Sequence, residues 1–297
     1  APRYVIMTVA SVGIIVGAIT SNGMMEVARS GVFHPEMFTF AEVMLLFLAV
    51  MFTNVILLDI FNTLGMPTST TVSLVFGLGA AVGISIFKIA NDALVTLPDG
   101  SLATMADMIN TGNAMAIIGG ILISVVIAFV CGTVVMYITR LIFSFRYQSK
   151  LKSYGAVWCG IALTAISYFA VFKGLKGTQV IPADWMSWME GHIPMMLGGL
   201  LVGWSLIMSI LSMLKVNILR ITVLAGTFSL ALAFAGNDLV NFIGVFVAGV
   251  DAYDIVRTTG DTNMLMGGLN DPVVANLLIL FLSGAVMVVT LWFSKKA

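Results

Sequence analysis

Long apolar runs without a charged residue constrain the fold of this chain more than any other feature. The runs from Tyr4 to Met25 and from Ala114 to Thr139 contain no Asp, Glu, Lys or Arg. A helix of about 20 apolar residues spans the hydrocarbon core of a bilayer. The chain is 60% hydrophobic and only 9% charged, whereas soluble domains carry about 25% charged residues. We therefore predict an all-α polytopic membrane protein, with the lipid bilayer as its surroundings.

Charge and motif content exclude several other classes. The formal net charge is zero, so there is no electrostatic basis for a nucleic-acid partner. Cys131 and Cys159 lie in apolar runs and are predicted to be small packing residues, with no disulfide or metal site. The sequence has no Walker loop and no His-Glu-x-x-His motif. A pair of catalytic carboxylates, Asp59 and Asp238, is the enzymatic alternative, but we predict neither an enzyme nor a cofactor.

A polar patch at Gly236-Asn237-Asp238, followed by Asn241, interrupts a long apolar segment. A carboxylate at membrane depth costs about 2.5–3.5 kcal/mol on insertion scales, so a partner or ligand should offset it. Asn237 and Asn241 are four residues apart and would share one helix face. Gly236 would let the helix open and free carbonyl oxygens. Oxygen ligands around one carboxylate suit a hard cation or a proton, although a polar contact between two helices is the alternative.

A cluster of hydroxyl residues follows Pro67 in a second apolar segment. Proline breaks a helix but is accepted in its first turn, so we predict that a new helix begins there. Ser69, Thr70 and Thr71 would then lie beside the free N–H groups of a helix N-terminus, which favours an anion. The alternative is a helix cap whose hydroxyls bond to nearby backbone groups.

These segments resemble signatures of the inorganic phosphate transporter (PiT) family. Ala235 to Gly244 is similar to that family's Gly-Ala-Asn-Asp-Val-Ala-Asn-Ala-x-Gly element. Gly65 to Thr71 resembles the start of its Gly-Leu-Pro-Val-Ser-Thr-Thr-His element, with Val72 at the His position. Residues 26–31 are similar to its Glu-Thr-Ile-Arg-Lys-Gly sequence. The similarity follows the family order along nearly the whole chain.

The resemblance implies an inverted-repeat transporter with helices broken at the substrate site, which moves inorganic phosphate by symport with Na⁺ or H⁺. Five residues would bind phosphate through hydroxyl or amide groups: Ser69, Thr70, Thr71, Asn237 and Asn241. Asp238 would bind the coupling cation together with Asn237 and Asn241, and no metal is expected beyond a transported Na⁺. A cation beside Asp238 would offset the repulsion between that carboxylate and the anion, which gives a physical reason for coupling.

The family pattern also divides the chain. Residues 1–139 would be the remainder of the first transmembrane repeat, and residues 140–220 a connecting region with a cytoplasmic loop and transmembrane helices. Residues 221–297 would begin the second repeat. A first Asn-Asp motif would precede Ala1 and a second Ser-Thr-Thr element would follow Ala297. We therefore expect the chain to be an internal part of a longer transporter, with half of the substrate site outside it.

Basic residues between Arg140 and Lys152 place that segment in the cytoplasm, and the acidic stretch from Asp251 to Asp271 is predicted to be an external loop. We predict an integral, multi-pass protein of the plasma (inner) membrane. The alternatives are a sulfate or related oxyanion permease of the same architecture and a non-transporting packing or sensor protein. The sequence leaves open the choice between Na⁺ and H⁺ and the oligomeric state, for which a homodimer is one arrangement.

Overall fold

The computed structural model describes residues 1–21, 31–66, 73, 77, 79–98, 100–143, 147–175, 183–271 and 276–293. Within these ranges the chain is helical, with isolated β-bridges between connecting segments. The described α-helices are α1 (Arg3–Ile19), α2 (Phe40–Thr63), α3 (Ala80–Ala90), α4 (Met105–Met108), α5 (Thr111–Ile142), α6 (Tyr147–Phe169), α7 (Ala183–Gly191), α8 (Ile193–Met213), α9 (Ile218–Thr259) and α10 (Leu277–Phe293).

Five described helical segments are long and apolar enough to cross a membrane. They are Phe40–Thr63, Thr111–Ile142, Lys150–Phe172, Ile193–Met213 and Ile218–Thr259. Shorter apolar helices are α1, α3 and α10. The predicted all-α polytopic membrane class is therefore confirmed.

The chain divides into two compact units. The first comprises Ala1–Ser21, Val126–Gly236 and Leu277–Ala297, and the second comprises Asn22–Val125 and Asn237–Asn276. Both α5 and α9 contribute residues to each unit. The predicted boundaries after residues 139 and 220 follow the sequence repeats of the family rather than the compact units of the structure. That division stays a prediction.

In the first unit, α6 packs against α8 along most of its length. The core of this pair contains Cys159, Leu163 and Met208. Across it, Trp204 Nε1 donates a hydrogen bond to Ser167 Oγ at 2.9 Å. Cys159 is buried, as predicted for a packing residue. The same prediction is wrong for Cys131, which is exposed on α5, a helix without buried residues.

In the second unit, α2 buries a single face. Its buried residues are Val43, Leu46, Phe47, Val50 and Asn54. Because they recur every three or four positions, they form one stripe along the helix. The hydrophobic residues between them, such as Leu48 and Phe52, are exposed, as expected for a helix with one face toward lipid. Asn54 is the polar member of the buried stripe.

The α9 helix differs from the sequence-based prediction at two points. It is helical without interruption from Ile218 to Thr259, so the break predicted at Gly236 is wrong, as is the loop predicted to start at Asp251. Close packing beside Gly236 depends on Gly17 of α1, because a Cβ atom on Gly17 would lie 3.1 Å from the Gly236 nitrogen, whereas a Cβ atom on Gly236 would make only an ordinary contact with Gly17 O at 3.6 Å. At 1.5 Å per residue, α9 is about 63 Å long, twice the hydrocarbon thickness. The helix can therefore carry Asp251 and Asp254 beyond the apolar layer.

Candidate functional site

The α9 helix carries the predicted cation-binding residues. The backbone of Asn237, Asp238 and Asn241 lies in this helix, so Asn237 and Asn241 are separated by about one turn. The Asn241 side chain is 4% exposed. The side chains of Asn237 and Asp238 lie outside the described part of the structure. Their predicted contacts with a cation or with phosphate stay predictions.

The predicted anion-binding hydroxyls, Ser69, Thr70 and Thr71, lie outside the described residues. The described residue closest after them is Ser73, which is helical and 2% exposed. Its Oγ atom donates a hydrogen bond to Asn54 Oδ1 on α2 at 2.6 Å. Asn54 is itself 5% exposed. Ser73, two positions after Thr71 in the sequence, is therefore joined to α2 by a buried hydrogen bond.

This bond differs from the usual behaviour of hydroxyls in the chain. Ser85 and Thr53, for example, donate to the carbonyl four residues earlier in their own helix, both at 2.8 Å. Such back-bonding satisfies a hydroxyl locally. Ser73 instead donates to a side chain 19 positions away in the sequence. Hydrogen bonds of this type between membrane helices contribute about 0.6–2 kcal/mol.

A second contact fixes the register between α2 and the segment that contains Ser73. A Cβ atom on Gly77 would lie 3.3 Å from Val50 Cγ1 and 3.6 Å from Val50 Cα. Gly77 follows Ser73 by four positions, and Val50 precedes Asn54 by four. The Ser73–Asn54 and Gly77–Val50 contacts are therefore about one helical turn apart along each segment. Because residue numbers rise along one segment as they fall along the other, the two run antiparallel.

In the second unit, α2 also packs against the C-terminal half of α9. A Cβ atom on Gly249 would lie 3.8 Å from Phe47 Cδ2 and 3.9 Å from Met44 Sδ. Near the start of α2, Phe40 N donates to Met264 O at 3.2 Å, and Met264 follows the end of α9 by only five residues. Residue numbers therefore increase along α2 as they decrease along α9. The two helices pack in an antiparallel arrangement.

Asn54 and Ser73 are buried polar residues that the sequence motifs do not include. Asn54 is a single amide inside an apolar span, and such an amide is a recognised sign of function or of a helix contact. Ser73 stands just outside the Ser-Thr-Thr cluster and therefore drew no attention. Burial on the inner face of α2 distinguishes Asn54 from the exposed Asn62 on the same helix, and only the fold shows that difference.

The described residues contain no group of three or more His, Cys, Asp or Glu side chains that could hold a metal ion. The cation site predicted from the sequence uses a different ligand set, in which amide oxygens surround one carboxylate; the free carbonyl oxygens also expected there required the helix break, which α9 lacks. Oxygen ligands of this type suit Na⁺ or a proton rather than a resident transition metal. Their arrangement around Asp238 stays a prediction.

Helical spans that bury polar side chains on their inner faces define a multi-pass α-helical membrane protein. The chain matches the model described as the phosphate transporter family over residues 3–296. It therefore belongs to the phosphate transporter family, which confirms the resemblance noted from its motifs. No curated protein and no solved structure matches the chain.

Proposed function

We propose that this protein is a secondary active transporter that moves inorganic phosphate across a membrane by symport with Na⁺ or H⁺. The observation that carries the proposal is the family match over residues 3–296. The fold supports it, because Ser73 of the hydroxyl-rich segment and Asn241 of the Asn-Asp segment belong to the same compact unit. Two segments far apart in the sequence thus contribute buried polar groups to one unit.

In the proposed mechanism, the hydroxyls of Ser69, Thr70 and Thr71 donate hydrogen bonds to the phosphate oxygens. Neutral donors at a helix N-terminus can bind an anion without a fixed positive charge. Such a site holds phosphate loosely enough to release it on the other side of the membrane. The amides of Asn237 and Asn241 complete the phosphate shell.

Asp238 supplies the negative charge for the coupling cation in this proposal. An empty site would leave a carboxylate facing an incoming anion, and the two charges would repel each other. A Na⁺ ion or a proton at Asp238 removes that repulsion. Phosphate affinity then rises when the cation is bound, and linkage requires that cation affinity rises equally when phosphate is bound.

The proposed setting is the plasma (inner) membrane, with the lipid bilayer, phosphate and the coupling cation as the only required partners. No cofactor or enzymatic step is needed, because the ion gradient provides the driving force. The helices that are exposed in this chain, α5 above all, would face lipid or other transmembrane segments.

The test is uptake of radiolabelled phosphate by proteoliposomes that contain the complete gene product carrying this sequence. Separate experiments impose a Na⁺ gradient, a proton gradient or neither, and protein-free liposomes give the background. We expect uptake above background under one of the two gradients. Excess unlabelled sulfate should leave it unchanged. Absence of uptake under both gradients would contradict the proposal, and preferential sulfate transport would identify a permease for a related oxyanion.

A further inference from the structure

Asn54 has a polar side chain in a position where α2 otherwise buries apolar residues. A buried amide in a membrane span is costly unless it is hydrogen-bonded. Asn54 meets this requirement through Ser73 Oγ, which donates to Asn54 Oδ1 at 2.6 Å. Because the oxygen of the amide accepts this bond, its nitrogen with two donor hydrogens is directed elsewhere. The bond therefore fixes the orientation of both side chains.

The packing register places Asn54 close to the depth of Asn241. In the second unit, Phe47 and Met44 of α2 lie beside Gly249 of α9, and the helices are antiparallel. Moving about two turns toward the C-terminus of α2 leads from Phe47 to Asn54. Moving about two turns toward the N-terminus of α9 leads from Gly249 to Asn241. Each displacement is about 11 Å along the helix axis, so the two buried amides reach a similar level.

Two described contacts hold Ser73 and Gly77 in register with α2. Ser73 bonds to Asn54, and one turn later Gly77 packs on Val50. On the helix predicted from Pro67, Ser69 precedes Ser73 by four residues and would share its face. A shift of Ser73 relative to α2 would therefore move the residues proposed to donate to the anion.

We propose that Asn54 is a positioning residue of the phosphate site, which holds Ser73, two positions after Thr71 in the sequence, in register with α2 at the level of Asn241. This inference rests on the proposed phosphate transport. Asn54 acts through Ser73, and its removal should weaken phosphate binding while the transport cycle itself remains intact. If Ser73 shifts when this bond is lost, the loss of one hydrogen bond to the charged phosphate corresponds to about a tenfold change in affinity.

The experiment measures phosphate uptake by the complete gene product with Asn54→Leu, Ser73→Ala and both changes together. We expect each single variant to raise KM for phosphate about tenfold, with Vmax per inserted transporter within about twofold of the wild type. The double variant should raise KM no further than the larger single change, because both substitutions remove the same bond. A purely structural contact would reduce the amount of inserted protein or its Tm and leave KM unchanged.

Two matched variants control for the loss of a hydroxyl. Ser85→Ala removes a buried hydroxyl in the same unit that bonds to Ala81 O. Thr53→Val changes the exposed neighbour of Asn54, whose hydroxyl bonds to Ala49 O. Both should keep the wild-type KM. If Asn54→Leu does not insert, Ser73→Ala decides the question, since it removes only one oxygen atom.

The outcomes separate this inference from the proposed function. Wild-type uptake with an unchanged KM in Ser73→Ala overturns the positioning role of Asn54 and leaves phosphate transport intact. The positioning role is also overturned if the increases in KM of the two single variants multiply in the double variant. Such multiplication indicates that the two residues act independently. Absence of phosphate uptake by the wild-type protein overturns both proposals.

Discussion

Lys88 and Glu42 join the end of α3 to the first turn of α2 through a contact of 2.8 Å between Lys88 Nζ and Glu42 Oε2. Lys88 is 2% exposed, and its ammonium group also donates to Met37 O at 2.9 Å. It lies 5.4 Å from the centre of the Phe38 ring. Glu42 in turn accepts a hydrogen bond from Thr39 N at 2.8 Å, as part of a capping box. One carboxylate thus closes the N-terminus of α2 and neutralises a buried cation.

Lys88→Met should destabilise the protein by about 3 kcal/mol, since it leaves Glu42 partly buried without its cation. This loss of stability lies at the lower end of the range for breaking a buried ion pair. The Glu42 side chain is 25% exposed, so water partly compensates for the missing cation. A thermal unfolding assay on detergent-solubilised protein would show this as a lower Tm than in the wild type.

The double change Lys88→Met with Glu42→Gln provides the control for that prediction. Glutamine keeps the capping interaction with Thr39 N and removes the unpaired charge. The double variant should therefore be more stable than Lys88→Met alone. Equal Tm values for the wild type and Lys88→Met would show that the ion pair has no role in stability.

Gly17→Ala should destabilise the first unit by about 1–3 kcal/mol through overpacking. A Cβ atom at Gly17 would overlap Leu232 O and lie 3.0 Å from Ala235 Cβ. The backbone of α9 would have to move away from α1. Gly120→Ala is the control, because a Cβ atom there has nothing within 4 Å and alanine favours a helix. If the two variants have the same Tm, α1 and α9 are less tightly packed than the structure indicates.

Ser69→Ala and Thr70→Ala should each lower phosphate affinity about tenfold while the protein still inserts. A hydrogen bond to a charged ligand is worth about 1.5–3 kcal/mol, which corresponds to this factor or more. The KM for phosphate uptake measures the effect. Ser124→Ala removes an exposed hydroxyl that bonds to Ile121 O and should leave KM unchanged. Unchanged KM in both test variants would assign Ser69 and Thr70 to helix capping.

Asp238→Asn should abolish most cation-driven phosphate uptake and leave insertion and Tm close to the wild type. The amide keeps the size of the side chain but lacks the charge proposed to hold the cation, and a neutral amide is easier to bury than a carboxylate. Uptake is measured over a range of Na⁺ concentrations and pH values.

Asp254→Asn is the matched control for Asp238, since Asp254 lies on the same helix and is exposed. It should transport normally. Normal transport by Asp238→Asn across all conditions would remove Asp238 from the mechanism, and it would favour the alternative in which that residue only joins two helices.

The membrane class could be predicted from local composition, because long apolar runs make up most of each span. Ala114 to Thr139, for example, lies within α5. The family could be recognised for the same reason, since its motifs are contiguous polar segments within apolar sequence. Local patterns of this kind do not require knowledge of which helices touch each other.

The partners of individual residues could not be predicted in this way. Asn54 and Ser73 are joined by packing between separate segments, and no local pattern contains that contact. The break predicted at Gly236 is wrong because glycine permits a helix to open but does not require it to do so. The helix continues through Gly236. The end of α9 was placed too early because charged residues were taken to end the helix rather than only its apolar part.

The bond between Asn54 and Ser73 also has a consequence for the order of biosynthesis. The chain is made from its N-terminus, and Ser73 follows Asn54 by 19 positions. Asn54 is therefore synthesised before its partner. Each apolar residue around Asn54 contributes about 0.3–0.6 kcal/mol to insertion, and together these contributions exceed the penalty of one amide. A nascent chain that ends before Ser73 would lack this bond and expose the Asn54 amide to lipid or to another helix.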